Sequence, residues 1–236
     1  MSVIYLDIAT IPDFELGARL YNLHELSEED IARVMVTKSR ENDINPGRVG
    51  RHMQRILSIA VLMQDDNGIK TWLIGAPEVS EAEILKSLQE LADEHKPAVV
   101  SWDGNRSIFP LLNYRYLSHG LRKPLFSEHT NLSTELAATN DRCVATQHEV
   151  AVLCGFSSQK AMSADEVLNA YLKESLELIH NELELNVVKI WQMNQRWQLV
   201  CGESDQASQD IEFQRLKEAL LQQDKTHLVD FVESLI

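Results

Sequence analysis

Two aspartates that follow apolar segments are the side chains of this sequence best placed for acid or metal chemistry. Asp7 lies near the end of the segment Val3–Ile8, and Asp103 follows the segment Ala98–Trp102. Both segments have the composition of strands. Because sites in open α/β sheets lie at the carboxyl ends of strands, these two carboxylates are candidates for a functional site.

Other catalytic patterns are missing from the sequence. The three cysteines are far apart, with no Cys-x-x-Cys pair, which is typical of free thiols in a reducing cytosol. The eight histidines have no metal-ligand spacing, and there is no glycine-rich phosphate loop. No apolar run reaches the roughly 20 residues that cross a bilayer, and no signal peptide precedes the first strand. We therefore expect a cytoplasmic protein that does not bind membranes.

The charge of the chain limits its partners. There are 36 acidic and 22 basic residues, which gives a net charge of -14. Lys and Arg side chains supply much of the affinity of proteins for nucleic acids, so the overall field opposes tight binding to DNA or RNA unless a basic groove or bridging Mg²⁺ ions help. The densest basic stretch is Arg48–Arg55. We interpret it as a solvated connection before a strand rather than as a phosphate-contacting loop.

Three segments predict a meander of strands, and they are Val3–Ile8, Ile56–Gln64 and Lys70–Ile74. Asp65–Gly68, between the last two, is a predicted hairpin turn because its Asn-Gly pair accepts positive φ angles. Pro12 is expected to end the first strand. Ala98–Trp102 adds a short buried strand.

Helices dominate the rest of the chain. A capping box of Ser80 and Glu83 starts one helix, and nearly everything after Gln147 has helical periodicity. This order predicts a mixed α/β sheet flanked by helices, with a mostly helical C-terminal half. We expect one domain over residues 1–203 and a helical C-terminal extension over residues 204–236. The extension is expected to pack on the same domain, with a partner protein as the alternative.

Four stretches, taken in order, are similar to one known family, and they are Leu6–Asp13, Val99–Leu112, Lys160–Val167 and Ile179–Glu203. The first resembles the pattern Asp-Ile-Glu-Thr-x-Pro-Asp, and the second resembles Val-Ser-Phe-Asn-Gly followed by Phe-Asp-x-Pro-x-Leu. The chain thus resembles the DEDD 3′–5′ exonucleases of the ribonuclease H-like fold, in the branch related to the proofreading domain of B-family DNA polymerases. This resemblance runs from Val3 to about Gly202. It implies a ribonuclease H-like fold, Mg²⁺ or Mn²⁺ as cofactor, and single-stranded nucleic acid as substrate.

The departures from the family pattern fall at its metal-binding positions. The first aspartate is kept as Asp7, but Ala9, Ile108 and Asn186 stand where the other three carboxylates are expected. The tyrosine one turn before the last of them is replaced by Glu182. Alanine and isoleucine supply no ligand and asparagine supplies a neutral oxygen, whereas Mg²⁺ favours anionic oxygens. We expect the site to hold a metal weakly at Asp7 or not at all.

This loss predicts a catalytically degenerate exonuclease. Two-metal hydrolysis uses two ions about 3.5–4 Å apart to activate a water and stabilise the leaving oxygen. Without those ions, the protein would act by binding nucleic acid or a protein partner. Trp102, Asp103 and Gly104 lie in the second family stretch, and we expect them to contact a substrate.

The alternative is an active exonuclease in which the acids have moved. Glu182 lies one turn before Asn186 on the same helix face, and Asp103 follows a predicted strand. Asp7, Asp103 and Glu182 would then form a rebuilt catalytic site, while Glu184 would point to the far face of the helix. The simpler roles are a turn residue for Asp103, a solvated helix charge for Glu182, and a local hydrogen bond for Asp7.

Overall fold

A mixed five-stranded sheet forms the centre of the structure, a computed structural model that describes residues 2–41, 49–156 and 160–234. The strands are β1 (Val3–Pro12), β2 (Gln54–Asp65), β3 (Gly68–Ile74), β4 (Ala98–Ser101) and β5 (His129–Asn131). Their order across the sheet is β3-β2-β1-β4-β5. The pairs β1–β2 and β2–β3 are antiparallel, whereas β1–β4 and β4–β5 are parallel.

The helices of the described ranges are α1 (Phe14–Tyr21), α2 (Glu28–Glu41), α3 (Glu81–His95), α4 (Phe109–His119), α5 (Leu132–Leu136), α6 (Gln147–Leu153), α7 (Ala164–Leu172), α8 (Leu176–Cys201), α9 (Gln206–Leu221) and α10 (Thr226–Glu233). Short 3₁₀ turns occur at Arg51–Met53 and Asp141–Cys143, and a π turn at Gly104–Ile108 leads into α4. The predicted mixed α/β architecture is confirmed. It is consistent with the ribonuclease H-like fold that the resemblance implies.

The first strand is longer than predicted. It pairs with β2 as far as Pro12, because a proline at the last residue of a strand removes little from the ladder. A register shift between Ala9 and Thr10 marks a bulge. β1 pairs with β4 only over Val3–Tyr5. The two strands therefore part just before Asp7, at the carboxyl end of β4.

Local signals predict several elements correctly. The Asp65–Gly68 turn joins β2 and β3, with Gly68 at a φ of 128°. Ser80 and Glu83 make both bonds of the capping box that begins α3. The sequence analysis does not predict α1 or β5. β5 is only three residues long, so it has too few positions for a strand periodicity to show.

Alternate residues of β1 point to two apolar clusters on the two faces of the sheet. Ile4 and Leu6 belong to the cluster covered by α3 and α4. Tyr5 belongs to the cluster that contains Trp191 of α8, which is fully buried, and residues of α9 and α10. α8 thus passes over β1 on one face, with the C-terminal helices packed in the same layer. No helix in the described ranges is long and apolar enough to cross a membrane.

Candidate functional site

Asp7 lies at the centre of the candidate site. It pairs with Ala60 of β2, two residues beyond the last residue of β1 that pairs with β4. Its Oδ1 accepts a hydrogen bond from the backbone N–H of Ile8 (2.9 Å), and its Oδ2 accepts one from Nδ2 of Asn186 (3.2 Å). Both carboxylate oxygens are therefore already bound by donors of the protein.

One face of α8 carries three polar side chains beside β1. Glu182, Asn186 and Lys189 follow the spacing i, i+4 and i+7, which places them on one side of the helix. Asn186 is 8% exposed and Lys189 is 5% exposed, while Glu182 is half-buried. Polar groups this deeply buried need partners, because unpaired they lose their hydration without compensation.

A chain of hydrogen bonds joins this helix face to Asp7. Nζ of Lys189 donates to Oδ1 of Asn186 (3.5 Å), and Nδ2 of the same amide donates to Asp7. The Asn186 amide thus connects the ammonium to the carboxylate. Oε1 of Glu182 accepts from the backbone N–H of Met162 (2.6 Å), which ties α8 to the segment before α7.

The charged groups of the site shift one another's pKa values. Loss of hydration raises the pKa of Asp7 from 3.8 to about 6, although the hydrogen bonds from Ile8 and Asn186 oppose this rise. Burial also raises the pKa of Glu182, while the charge of Lys189 acts to lower it. Burial lowers the pKa of Lys189, and the charges of Glu182 and Asp7 act to raise it. Lys189 therefore favours the ionised form of both carboxylates, but at Asp7 the charge of Glu182 raises the pKa more than the charge of Lys189 lowers it.

Asp7 lines two neighbouring cavities. The larger, of about 280 Å³, has Asp7, Ala9, Glu182 and Asn186 in its wall. The smaller, of about 170 Å³, has Asp7, Trp102, Asp103 and Ile108 in its wall. The positions that the resemblance assigns to metal ligands therefore surround Asp7, but among those four inherited positions only Asp7 carries a carboxylate.

A second protein cation lies in the wall that the two cavities share. Arg51 lines both of them. Its Nη2 donates to Oγ of Ser107 (2.6 Å), and its Nη1 donates to Oε1 of Gln54 (3.1 Å). Oγ of Ser107 donates in turn to Oδ2 of Asp103 (3.0 Å). A hydroxyl thus links the guanidinium to Asp103, just as an amide links Lys189 to Asp7.

The described part of the basic stretch forms a turn before β2, as predicted, and His52 is exposed, but the two arginines are less solvated than expected. Arg51 and Arg55 are both partly buried. Arg55 donates to the hydroxyl of Tyr171 (2.7 Å) and lies over the rings of Phe14 and Tyr171. Arg48 lies outside the described residues.

The predicted substrate contacts divide between the smaller cavity and the core. Trp102 and Asp103 line the smaller cavity. Gly104 is buried, and a Cβ atom there would clash with Oγ of Ser101 and the ring of His129. The glycine therefore permits close packing of the turn after β4. Oδ1 of Asp103 is buried and has no hydrogen-bond partner among the described residues.

The residues around Asp7 do not fit a two-metal centre. Within the described ranges, no three His, Cys, Asp or Glu side chains are grouped so that they could hold a metal ion. Both oxygens of Asp7 accept hydrogen bonds, and the Asn186 oxygen faces an ammonium. A divalent ion needs several oxygen ligands with lone pairs directed at it, and a neighbouring positive charge opposes its binding. The donor set is that of a hydrogen-bonded cluster.

Glu184 lies on the other side of α8, in the direction that the helical spacing predicts. It is 4% exposed and accepts from Nζ of Lys225 (2.5 Å). Its second oxygen pairs with Nε2 of His227 (3.0 Å). These contacts fix the start of α10 on α8, so Glu184 has a structural partner and no place in the site.

The sequence analysis does not predict the two cations of the site, Lys189 and Arg51. The spacing of Lys189 three residues after Asn186 places both on one helix face, and this is a signal that points to Lys189. No local pattern places Arg51 beside Ser107, because 56 residues separate them in the sequence.

A comparison with known families gives one match. Residues 49–235 match the model of a family described as predicted 3′–5′ exonucleases related to the exonuclease domain of PolB. The matched range includes α8 with Asn186, and also α9 and α10, but β1 with Asp7 precedes it. No curated protein matches the chain.

Proposed function

The chain belongs to this family of predicted 3′–5′ exonucleases related to the exonuclease domain of PolB, and we propose that it is a member that has lost metal-dependent hydrolysis. In this proposal the fold still places Asp7 next to Asn186 of α8. The remaining activity is to bind a single-stranded nucleic acid without cutting it. A protein partner is the alternative ligand.

One observation carries this proposal: each carboxylate oxygen of Asp7 accepts a hydrogen bond from the protein itself. Its two oxygens accept from Ile8 and Asn186. The position beside it in the larger cavity, Ala9, supplies only a methyl group, and Ile108 supplies hydrocarbon to the smaller cavity. Hydrolysis through two divalent ions requires anionic oxygens at these positions.

Arg51 supports nucleic acid as the ligand. It is a partly buried guanidinium in the wall of both cavities, and arginine is well suited to phosphate groups. The net charge of -14 opposes this binding over the rest of the surface. We therefore expect weak, salt-sensitive binding, with a Kd on the order of 10–100 µM at physiological salt.

The proposal is tested with single strands of DNA and RNA that carry a 3′ label. The full chain and Asp7→Ala are incubated with each strand in the presence of Mg²⁺ or Mn²⁺. We expect no trimming by either protein. Metal-dependent trimming by the unmodified chain that disappears in Asp7→Ala would contradict the proposal.

An active enzyme with relocated acids is the second candidate function. Asp103 favours it, because Asp103 shares the smaller cavity with Asp7 and its Oδ1 lacks a hydrogen-bond partner in the part of the chain that the structure describes. Such an enzyme would lose its trimming activity in Asp103→Asn as well as in Asp7→Ala. Glu182→Gln would show the same loss if that carboxylate had become a ligand.

A further inference from the structure

Lys189 is a buried cation that the proposed function does not use. It belongs to α8, and it is 5% exposed. A buried ammonium is costly unless it is paired and hydrogen-bonded. Its Nζ donates to Oδ1 of Asn186, and Nδ2 of Asn186 donates to Asp7.

We propose that Lys189 is a built-in cation that balances the carboxylates of Asp7 and Glu182 and keeps divalent metal ions out of the site. The inference rests on the proposed function, because it explains how the inherited site stays folded without bound metal. In this role the ammonium of Lys189 supplies the positive charge that a bound metal ion would otherwise supply to the carboxylates.

The position of Glu182 supports this assignment. Glu182 lies in the wall of the larger cavity with Asp7, and also in the wall of a separate cavity of about 470 Å³ with Lys189. It therefore shares one cavity wall with Asp7 and another with Lys189. The i, i+4, i+7 spacing on α8 fixes the order Glu182, Asn186, Lys189 along the helix. The cation is held by the same rigid element as the amide that contacts Asp7.

A covalently attached cation differs from a metal ion in two respects. It is present at any metal concentration, so the site needs no ion from solution. It also repels any divalent ion that approaches the same oxygens. At a separation of about 6 Å and an effective dielectric constant of about 20, the repulsion between a single positive charge and a divalent ion corresponds to roughly ten-thousand-fold weaker binding, an upper limit that water and salt reduce.

Removal of this one charge gives the test. Lys189→Gln deletes the positive charge but keeps a group that can donate to Asn186. The binding of MnCl2 alone to the full chain is measured by the EPR signal of free Mn²⁺. We expect Lys189→Gln to bind one Mn²⁺ at least about ten-fold more tightly than the unmodified chain.

Lys160→Gln is the matched control. Lys160 is exposed and lines the same cavity as Lys189, so this variant removes an equal charge without touching the bond to Asn186. We expect its affinity for Mn²⁺ to remain that of the unmodified chain. Equal affinities in Lys189→Gln and the unmodified chain would overturn the inference. If the unmodified chain is also inactive on nucleic acid, the proposed function would survive that result.

A double variant decides the matter if Lys189→Gln does not fold. Asp7→Asn added to Lys189→Gln removes a carboxylate that the ammonium balances. We expect the double variant to regain a cooperative urea transition. A double variant as unfolded as the single one would show that Lys189 acts through packing alone, and this too would overturn the inference.

Discussion

Two clusters of charge include aspartates that lie six residues apart in the chain, Asp7 and Asp13. The Asp7 cluster comprises Asp7, Glu182 and Lys189, and the Asp13 cluster comprises Asp13, Glu81 and Arg115. Each has two carboxylates and one Lys or Arg cation, and in the Asp13 cluster Nε2 of His119 also lies 2.9 Å from Oε2 of Glu81. The two clusters differ in whether the cation contacts the carboxylates directly.

In the Asp13 cluster the cation contacts both carboxylates directly. Nη1 of Arg115 lies 2.8 Å from Oδ2 of Asp13, while Nη2 and Nε lie 2.5 and 2.8 Å from the oxygens of Glu81. Burial alone would lower the pKa of Arg115, but the bonds and charges of Glu81 and Asp13 raise it. Asp13 also caps α1 by accepting from the N–H of Leu16 (3.0 Å). The cluster joins β1, α1, α3 and α4 as a structural ion pair.

In the Asp7 cluster an amide stands between the ions. Lys189 reaches Asp7 through Asn186, and the pKa values of both carboxylates lie above their usual range, chiefly because of burial. The same three charges are therefore held less favourably than in the Asp13 cluster. Groups that are buried, unfavourably charged and adjacent to cavities are typical of sites for ligands rather than of structural pairs.

Among the substitutions that distinguish the two clusters, replacement of Arg115 is expected to change the free energy of unfolding most. Arg115→Met leaves Asp13 and Glu81 buried without their cation, and we expect a loss of about 3–5 kcal/mol in the free energy of unfolding. Urea denaturation at neutral pH measures it. Arg122→Met is the control, because Arg122 pairs with Asp93 at the surface. That variant should change stability by less than about 1 kcal/mol, and a comparable loss there would remove the distinction between buried and exposed pairs.

Replacement of Asp7 is expected to change the free energy of unfolding less than Arg115→Met does, and to increase it rather than decrease it. Its pKa is 3.8 in the ordinary case and about 6 in the folded protein. Between these values the unfolded chain has released the proton and the folded chain retains it, so the contribution of Asp7 to stability falls as pH rises through this window and stays low above it.

Asp7→Asn removes this contribution. Its stability relative to the unmodified chain should rise by at most about 3 kcal/mol from about pH 3.5 to about pH 7.5. Lys189 and Glu182 face the same carboxylate, so the measurement is repeated in Lys189→Gln, where the rise should be larger because the compensating charge is gone. A pH-independent difference would show that folding leaves the pKa of Asp7 unchanged, which contradicts the prediction.

Replacement of Gln192 is expected to change the free energy of unfolding least. It allows two amides of α8, those of Gln192 and Asn186, to be compared. Within the described ranges, both amide atoms of Gln192 are buried without a hydrogen-bond partner, whereas both amide atoms of Asn186 are hydrogen-bonded. Gln192→Met replaces the amide by an apolar group of similar size. We expect a gain of about 1 kcal/mol in unfolding free energy by urea denaturation. A loss of stability would mean that the amide has a bonding role in the folded chain.

Sequence patterns predict the sheet and most helices because the signals for them are local. The capping box of Ser80 and Glu83 lies within four consecutive residues, and the Asp65–Gly68 turn joins adjacent strands. α1 is missed although Asp13 caps it, since its eight residues give few turns of periodicity. The extension of β1 to Pro12 is missed because pairing with β2 outweighs the weak strand preference of proline.

The site is predictable only as far as the family resemblance carries it. The resemblance assigns Asp7 and Asn186 to one site, and the structure places them in contact across 179 residues of sequence. It gives no information on Lys189 or Arg51, because neither is part of the motif. Their pairing with the site depends on packing between distant segments, and such contacts have no local periodicity.

The C-terminal helices have a consequence for synthesis of the protein on the ribosome. Tyr5 of β1 and Phe231 of α10 lie in the same apolar cluster. At translation speeds of about 5–20 residues per second, roughly 10–50 seconds pass between the emergence of these two segments. During that time the face of the β1–β2–β3 meander beneath α8, α9 and α10 remains uncovered. The nascent chain is therefore expected to be a client of chaperones until α10 has left the exit tunnel.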